Sequence, residues 1–157
     1  MKRLLLWAGL GAACVCLAVP SDEEEVRLLP DGPGKEATTR ICLECHGAAN
    51  FRQMRLSHDA WEEQVADMVD RGAKGSEKEL AEVTDYLTRN FGPDSKVNVN
   101  TAPLVELKTL LRLTAQEAMA LVQYRDANGQ FKQWQDLAKA PGVDPAKIEA
   151  KKDLMAF

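Results

Sequence analysis

Cys42-Leu43-Glu44-Cys45-His46 sets two thiols and an imidazole in the order C-x-x-C-H. Thiols separated by two residues can each form a thioether to one vinyl group of the same porphyrin. The histidine that follows is then held under the ring, where its imidazole can ligate the iron. A bare C-x-x-C would also serve a dithiol redox pair or half of a zinc site. The appended His46, and the absence of a second C-x-x-C in the chain, argue against both. The chemistry expected at Cys42, Cys45 and His46 is covalent attachment of one haem c.

Three side chains are candidates for the distal position on such an iron: Met54, His58 and Met68. Met68 is the first expectation, because it shares a helix face with Trp61 and Val65 that should turn toward the haem. His58 is the alternative ligand, and Met54 or an open position remains after it. The competing reading of Met68 is plain core packing, and that of His58 is a surface residue beside a helix start. The choice has consequences. A thioether favours ferrous iron and raises the potential, two imidazoles lower it, and an open site admits ligands or catalysis.

The elements that must carry these residues begin after an unusual start. Met1-Lys2-Arg3 leads into an apolar run, Leu4 to Ala18, too short for a comfortable membrane span. It reads as a secretory signal over residues 1–18, cleaved after Ala18. Lipid attachment at Cys14 is the alternative, and an uncleaved anchor the next. Removal of the signal takes Cys14 and Cys16 with it, which leaves Cys42 and Cys45 as the mature thiols. The expected location is periplasmic or otherwise exported, or membrane-tethered through the signal or a lipid.

Charge divides the remainder. Residues 19–96 hold 10 Lys/Arg against 17 Asp/Glu, whereas residues 97–157 hold 8 against 7. Neither part is the strongly basic domain of an electrostatic nucleic-acid binder. The acidic part suits a basic redox partner, or is simply a solvated surface. Ser21 to Lys35 is polar, with Pro, Gly and an acidic run, and 19–35 reads as a flexible leader. Phe91-Gly92-Pro93 stops a helix, 94–96 reads as a linker, and two small domains follow: 36–93 and 97–157.

The fold class expected is all-α. Glu36 to Ala48 reads as a helix with the thiols near its end. Asp59 and Glu62 are spaced as a capping box for a helix to Asp70, with Trp61, Val65, Met68 and Val69 on one face. Ser76 and Glu79 form a second box, before a helix that places Leu80, Val83, Tyr86 and Leu87 together. This order, C-x-x-C-H, a short loop, a helix beginning with Trp and a last helix with Tyr-Leu, resembles a small class I cytochrome c. Trp61-x6-Met68-x3-Gly72, with Tyr86-Leu87 and Phe91-Gly92-Pro93, resembles the compact haem domains attached to quinohaemoprotein amine dehydrogenases. The resemblance covers about residues 36–93 and implies His46 as proximal ligand and a methionine at position 68 as distal ligand. Larger class I cytochromes place that methionine in the loop before the last helix, but here Arg71 to Ser76 has none.

The tail has another pattern. Thr101 should cap a helix burying Leu104, Leu107, Leu110 and Leu111. A second helix, Ala115 to Ala127, buries Ala118, Leu121, Val122 and the stem of Arg125, and stops at Asn128-Gly129. A short helix opens at Asp136-Leu137, and the last helix runs from Pro145 toward Leu154. Val97-Asn98-Val99-Asn100-Thr101-Ala102, Ala118-x2-Leu121-Val122-x2-Arg125, Gly129-x-Phe131 and Asp136-Leu137 with Gly142-Val143 resemble the helix-hairpin-helix domain of ComEA-type competence proteins. In that family two glycine-rich turns present backbone N–H groups to DNA phosphates. Here the first turn, Leu111-Arg112-Leu113-Thr114, lacks glycine, and the second, Gly142-Val143-Asp144, carries a carboxylate where a phosphate would sit. DNA binding is therefore disfavoured at this stage.

The leading expectation is an exported monohaem one-electron carrier, not an enzyme, with a tail that docks it on a redox partner or a membrane-associated complex. The alternatives are a haem-bearing DNA-binding or DNA-uptake protein, and a haem enzyme or ligand sensor with an open distal site.

Overall fold

The computed structural model describes residues 22–157. The signal and lipidation readings, with Cys14 and Cys16, lie outside the described residues. The described chain is mostly helical with one minimal sheet. Its elements are α1 (Asp22–Arg27), α2 (Lys35–Cys42), α3 (Ala49–Arg52), α4 (His58–Asp70), α5 (Glu77–Phe91), β1 (Val97–Asn98), α6 (Leu104–Leu110), α7 (Ala115–Asn128), α8 (Trp134–Leu137), α9 (Pro145–Glu149) and β2 (Met155–Ala156). No helix among the described residues is long and apolar enough to cross a membrane.

Local chemistry starts and stops these helices. Ser76 and Glu79 close the expected capping box on α5. On α4 the cap is Ser57, whose hydroxyl accepts from the Ala60 N–H, so the box expected from Asp59 gives way to a single side-chain cap two residues earlier. α2 ends at Cys42 rather than Ala48, and Cys45 and His46 lie in the turn that follows. Val69, expected on the buried face of α4, faces solvent, because the core contacts of that helix come from Trp61 and Val65.

Two cores result. The first collects Leu29, Ile41, Phe51, Trp61, Val83, Tyr86, Leu87 and Phe91. The Trp61 indole N–H donates to the Phe91 carbonyl at 3.2 Å, which pins α4 to the end of α5. The segment read as a flexible leader contributes to this core. It forms α1, buries Leu29, and its Pro30 carbonyl accepts the Tyr86 hydroxyl at 2.6 Å. Gly34 shows why the contact is so close. At φ 91° it packs against α5, where an added Cβ would lie 2.7 Å from that of Tyr86.

The second core gathers Val97, Val99, Leu107, Leu111, Leu121, Phe131, Leu137, Ile148 and Met155 from the whole tail. Here the last helix stops at Glu149, a 3₁₀ turn follows over Lys152–Leu154, and β2 returns to pair in parallel with β1. This clasp joins the two ends of the tail. Two residues per strand carry no readable period, which is why the sequence reading missed it. α6 starts later than expected, after Pro103 rather than at Thr101.

The junction at 94–96 is bridged rather than loose. Glu106 on α6 is 1% exposed, accepts from Arg52 Nε at 2.8 Å and pairs with Arg55 Nη2 at 3.1 Å. Both guanidinium groups also sit about 6 Å from the Phe91 ring centroid. The Thr109 hydroxyl reaches Gln53 at 3.2 Å beside them.

Candidate nucleic-acid interface and cysteine-lined cavity

The first hairpin joins α6 to α7. Leu111 ends α6 in the right-handed region, and Arg112 then turns at φ 54°. Among the described residues Arg112 is the one non-glycine with positive φ. For an L-residue that conformation costs roughly 1–2 kcal/mol. A right-handed residue followed by a left-handed one is the backbone pattern of an anion-binding nest, since it directs successive N–H groups to one side. The left-handed turn is made here without glycine, and the residue in the strained position carries a cation. Lys108 lies one turn earlier on α6 and is also exposed. No ion pair engages Lys108 or Arg112 among the described residues.

α7 then starts on a full capping box. The Thr114 hydroxyl accepts from the Glu117 N–H, and Glu117 accepts from the Thr114 N–H at 2.8 Å. The Glu117 carboxylate is thereby held at about 2, well below its usual value, first by the Thr114 backbone N–H and further by Lys147, against the opposing effect of burial. Lys147 on α9 donates to both Glu117 oxygens, at 3.0 and 3.1 Å. As both residues lie in the first turns of their helices, this pair sets the starts of α7 and α9 side by side.

The second hairpin carries Gly142 at φ 82° before α9. The Asp144 carboxylate, expected to stand where a phosphate would, turns onto its own helix and accepts from the Ala146 N–H at 2.9 Å. Arg125, foreseen only as a buried stem, donates to the carbonyls of Val99 and Ala102, both at 2.8 Å. It ties the entry of the tail to α7. The tail's acidic groups are also largely occupied. Glu106 is matched by arginines of the other half, Glu117 by Lys147, and Asp136 by Lys139. Lys139 and Lys147 are used in those pairs, which leaves Lys108 and Arg112 as the exposed cations of the first hairpin.

The first core holds a partly open cavity of about 480 Å³. Cys42, Cys45 and His46 lie on one part of its wall, and Met54, Met68 and Trp61 are also on it. Burial pushes the Cys42 thiol up to about 11, which keeps it protonated and poorly suited to thiolate chemistry with a disulfide or a bare metal ion. Cys45 is exposed, and both thiols are free. The His46 ring meets Phe51 edge-on at 6.1 Å. Among the described residues no group of three or more His, Cys, Asp and Glu is placed to hold a metal ion. An apolar cavity with two thiols, one imidazole and two thioethers on its wall fits a covalently attached porphyrin better than a bare ion. His58 is not on this wall. It is exposed on α4, 3.5 Å from Asp85 and 3.7 Å from Asp59.

Comparison with known proteins falls on the tail. Residues 93–155 match the helix-hairpin-helix motif family. The chain is 46% identical over 57 residues to an endonuclease/exonuclease/phosphatase family domain-containing protein 1 from Xenopus laevis, covering 36% of this chain and 10% of that protein. It is 36% identical over 63 residues to an uncharacterized protein of Haemophilus influenzae, covering 40% of this chain and 56% of that one. It is 34% identical over 58 residues to ComE operon protein 1 of Bacillus subtilis, covering 37% and 28%. The chain thus spans between a tenth and about half of these relatives. No solved structure matches. These findings overturn the expectation of a one-electron carrier, because the kinship they establish favours the DNA-binding alternative and nothing in them speaks for electron transfer. The C-terminal part of this chain carries a helix-hairpin-helix domain, similar over 58 residues to ComE operon protein 1.

Proposed function

We propose that this chain is an exported DNA-binding protein that holds the duplex phosphate backbone without sequence preference through its helix-hairpin-helix domain. The observation that carries the reading is the left-handed turn retained at Arg112, inside the segment matched to that family. A phosphate beside such a turn meets an exposed cationic side chain and the positive end of α7. Gly142 supplies the second turn, held beside the first by the Lys147–Glu117 pair. One reason for disfavouring DNA weakens on this geometry: the glycine-free turn keeps its left-handed shape. Neither hairpin presents a long element for reading base edges, so the contacts are to backbone.

In the same proposal the cysteine-lined cavity takes a haem c, with Cys42 and Cys45 as attachment points and His46 as iron ligand. Met68 and Met54 are both on the wall for the distal position, and His58 is set aside. Bound there, the group would supply an iron centre and a large apolar body. The chain's own residues enclose that body with Phe51, Trp61 and Leu87 and so complete the first core. The reading is of a binding protein rather than an enzyme.

Fluorescence anisotropy of a labelled duplex, titrated with the mature full-length protein over a salt series, tests the DNA function. Binding should appear at low salt and weaken linearly in log–log form, by about 0.9 log units per log unit of salt for each phosphate engaged. Absence of binding at low salt removes the proposal. Haem attachment is tested separately: protein matured in the periplasm should be coloured, with its mass raised by one haem, and colourless material of unmodified mass would exclude it.

A further inference from the structure

Arg112 stands where this kind of turn favours glycine, and three observations constrain what it does there. Its backbone adopts the left-handed conformation at φ 54° despite the side chain. It is exposed and engages no ion pair among the described residues. The neighbouring carboxylate, Glu117, is consumed by Thr114 and Lys147 and is not available to neutralise it. A side chain at this position obstructs the close approach of a phosphate to the backbone that glycine permits. A guanidinium, however, offers donors in a rigid fork suited to phosphate oxygens.

The second hairpin is built the other way. Gly142 leaves its turn open, but Asp144 already supplies an internal carboxylate to the start of α9. A phosphate there would compete with a tethered anion of the same sign. The two hairpins are therefore unequal, one carrying a free cation and the other an intramolecular anion.

We propose that Arg112 is the principal phosphate-contacting residue of this domain, its guanidinium taking over the role that backbone N–H groups play in a glycine turn, so that duplex binding is carried asymmetrically by the first hairpin. This rests on the reading of the domain as a DNA binder and names the group through which it binds. It also explains why a strained, non-glycine turn is present at all: relief of strain and contact with phosphate pull this position in opposite directions.

The decisive comparison is Arg112→Gly against wild type in the mature full-length protein, with Arg112→Lys beside it. A labelled random-sequence duplex serves as probe. Arg112→Gly removes the strain and opens the nest, so its melting temperature should rise. Its duplex affinity should fall roughly tenfold at low salt, the worth of one charge-assisted contact. The slope of log affinity on log salt should flatten by about one. Arg112→Lys should retain most of the slope. Wild-type binding with Arg112→Gly equal or tighter would overturn the inference, because the backbone would then be the binding group, while leaving the DNA function standing. A wild type that does not bind the duplex at low salt overturns both.

Discussion

The two halves of this molecule solve the same packing problem with different success. In the tail, helices too short to be stable alone close a complete core, and the β1–β2 clasp seals its ends. In the N-terminal half helices of up to 15 residues leave a partly open apolar pocket of about 480 Å³. Helix length therefore does not decide whether a core is finished. The tail's core closes on itself, whereas the N-terminal half keeps an apolar pocket, the one the proposed haem would fill. The Arg52–Glu106–Arg55 cluster then fixes one to the other, in a place where removing one partner strands a buried charge.

This contrast can be broken at several points. The largest effect is expected from Cys42→Ala combined with Cys45→Ala. Material matured in the periplasm should lose all covalently attached haem, seen as lost colour and lost mass, and its N-terminal half should melt far earlier while the tail keeps its helix signal. Glu106→Ala follows. It leaves two guanidinium groups buried without their carboxylate and should cost about 3–5 kcal/mol in denaturant unfolding. A cost below about 1 kcal/mol, as for an exposed pair, would mean the halves are not clamped there. Leu121→Ala, in the closed core, should cost about 2–5 kcal/mol. Leu80→Ala, on the cavity wall, should cost less in unloaded protein, since it enlarges a space already present. Equal costs would contradict the view that one core is finished and the other is not.

The smallest effect concerns the joined helix starts. Glu117 titrates near 2 in the folded chain against 4.5 as its ordinary value. Its folded form thus favours the carboxylate, and the stability it contributes is present above pH 4.5 and is lost as pH falls from there toward 2. Glu117→Gln should flatten that part of the stability–pH curve. Thr114→Ala should cost about 1 kcal/mol at neutral pH as a lost cap.

How far the sequence could be read follows the same division. The helices over Glu77–Phe91 and Ala115–Asn128 were legible because caps and apolar periods agree there, and the tail's domain type was legible from its spaced motif. Position 112 was misread for a physical reason. A glycine signature reports where the left-handed turn is easy, not where it occurs, and the surrounding helices can impose φ 54° on an arginine. The Arg52–Glu106 pair was invisible because its members lie 54 residues apart and a lone charged residue reads as solvated. His58 illustrates the converse. A residue of suitable chemistry beside a helix start was weighed as a ligand, but it lies outside the cavity because α4 begins at that very residue and turns it to solvent.

The account stands on the hairpins as the DNA-contacting surface, and amide chemical-shift mapping of the mature protein with a short duplex addresses that surface directly. The account predicts that perturbations concentrate at residues 111–117, extend to 142–148, and leave the cavity wall around Cys42 and Trp61 unchanged. Perturbations confined to residues 36–93, or none at low salt, would contradict it.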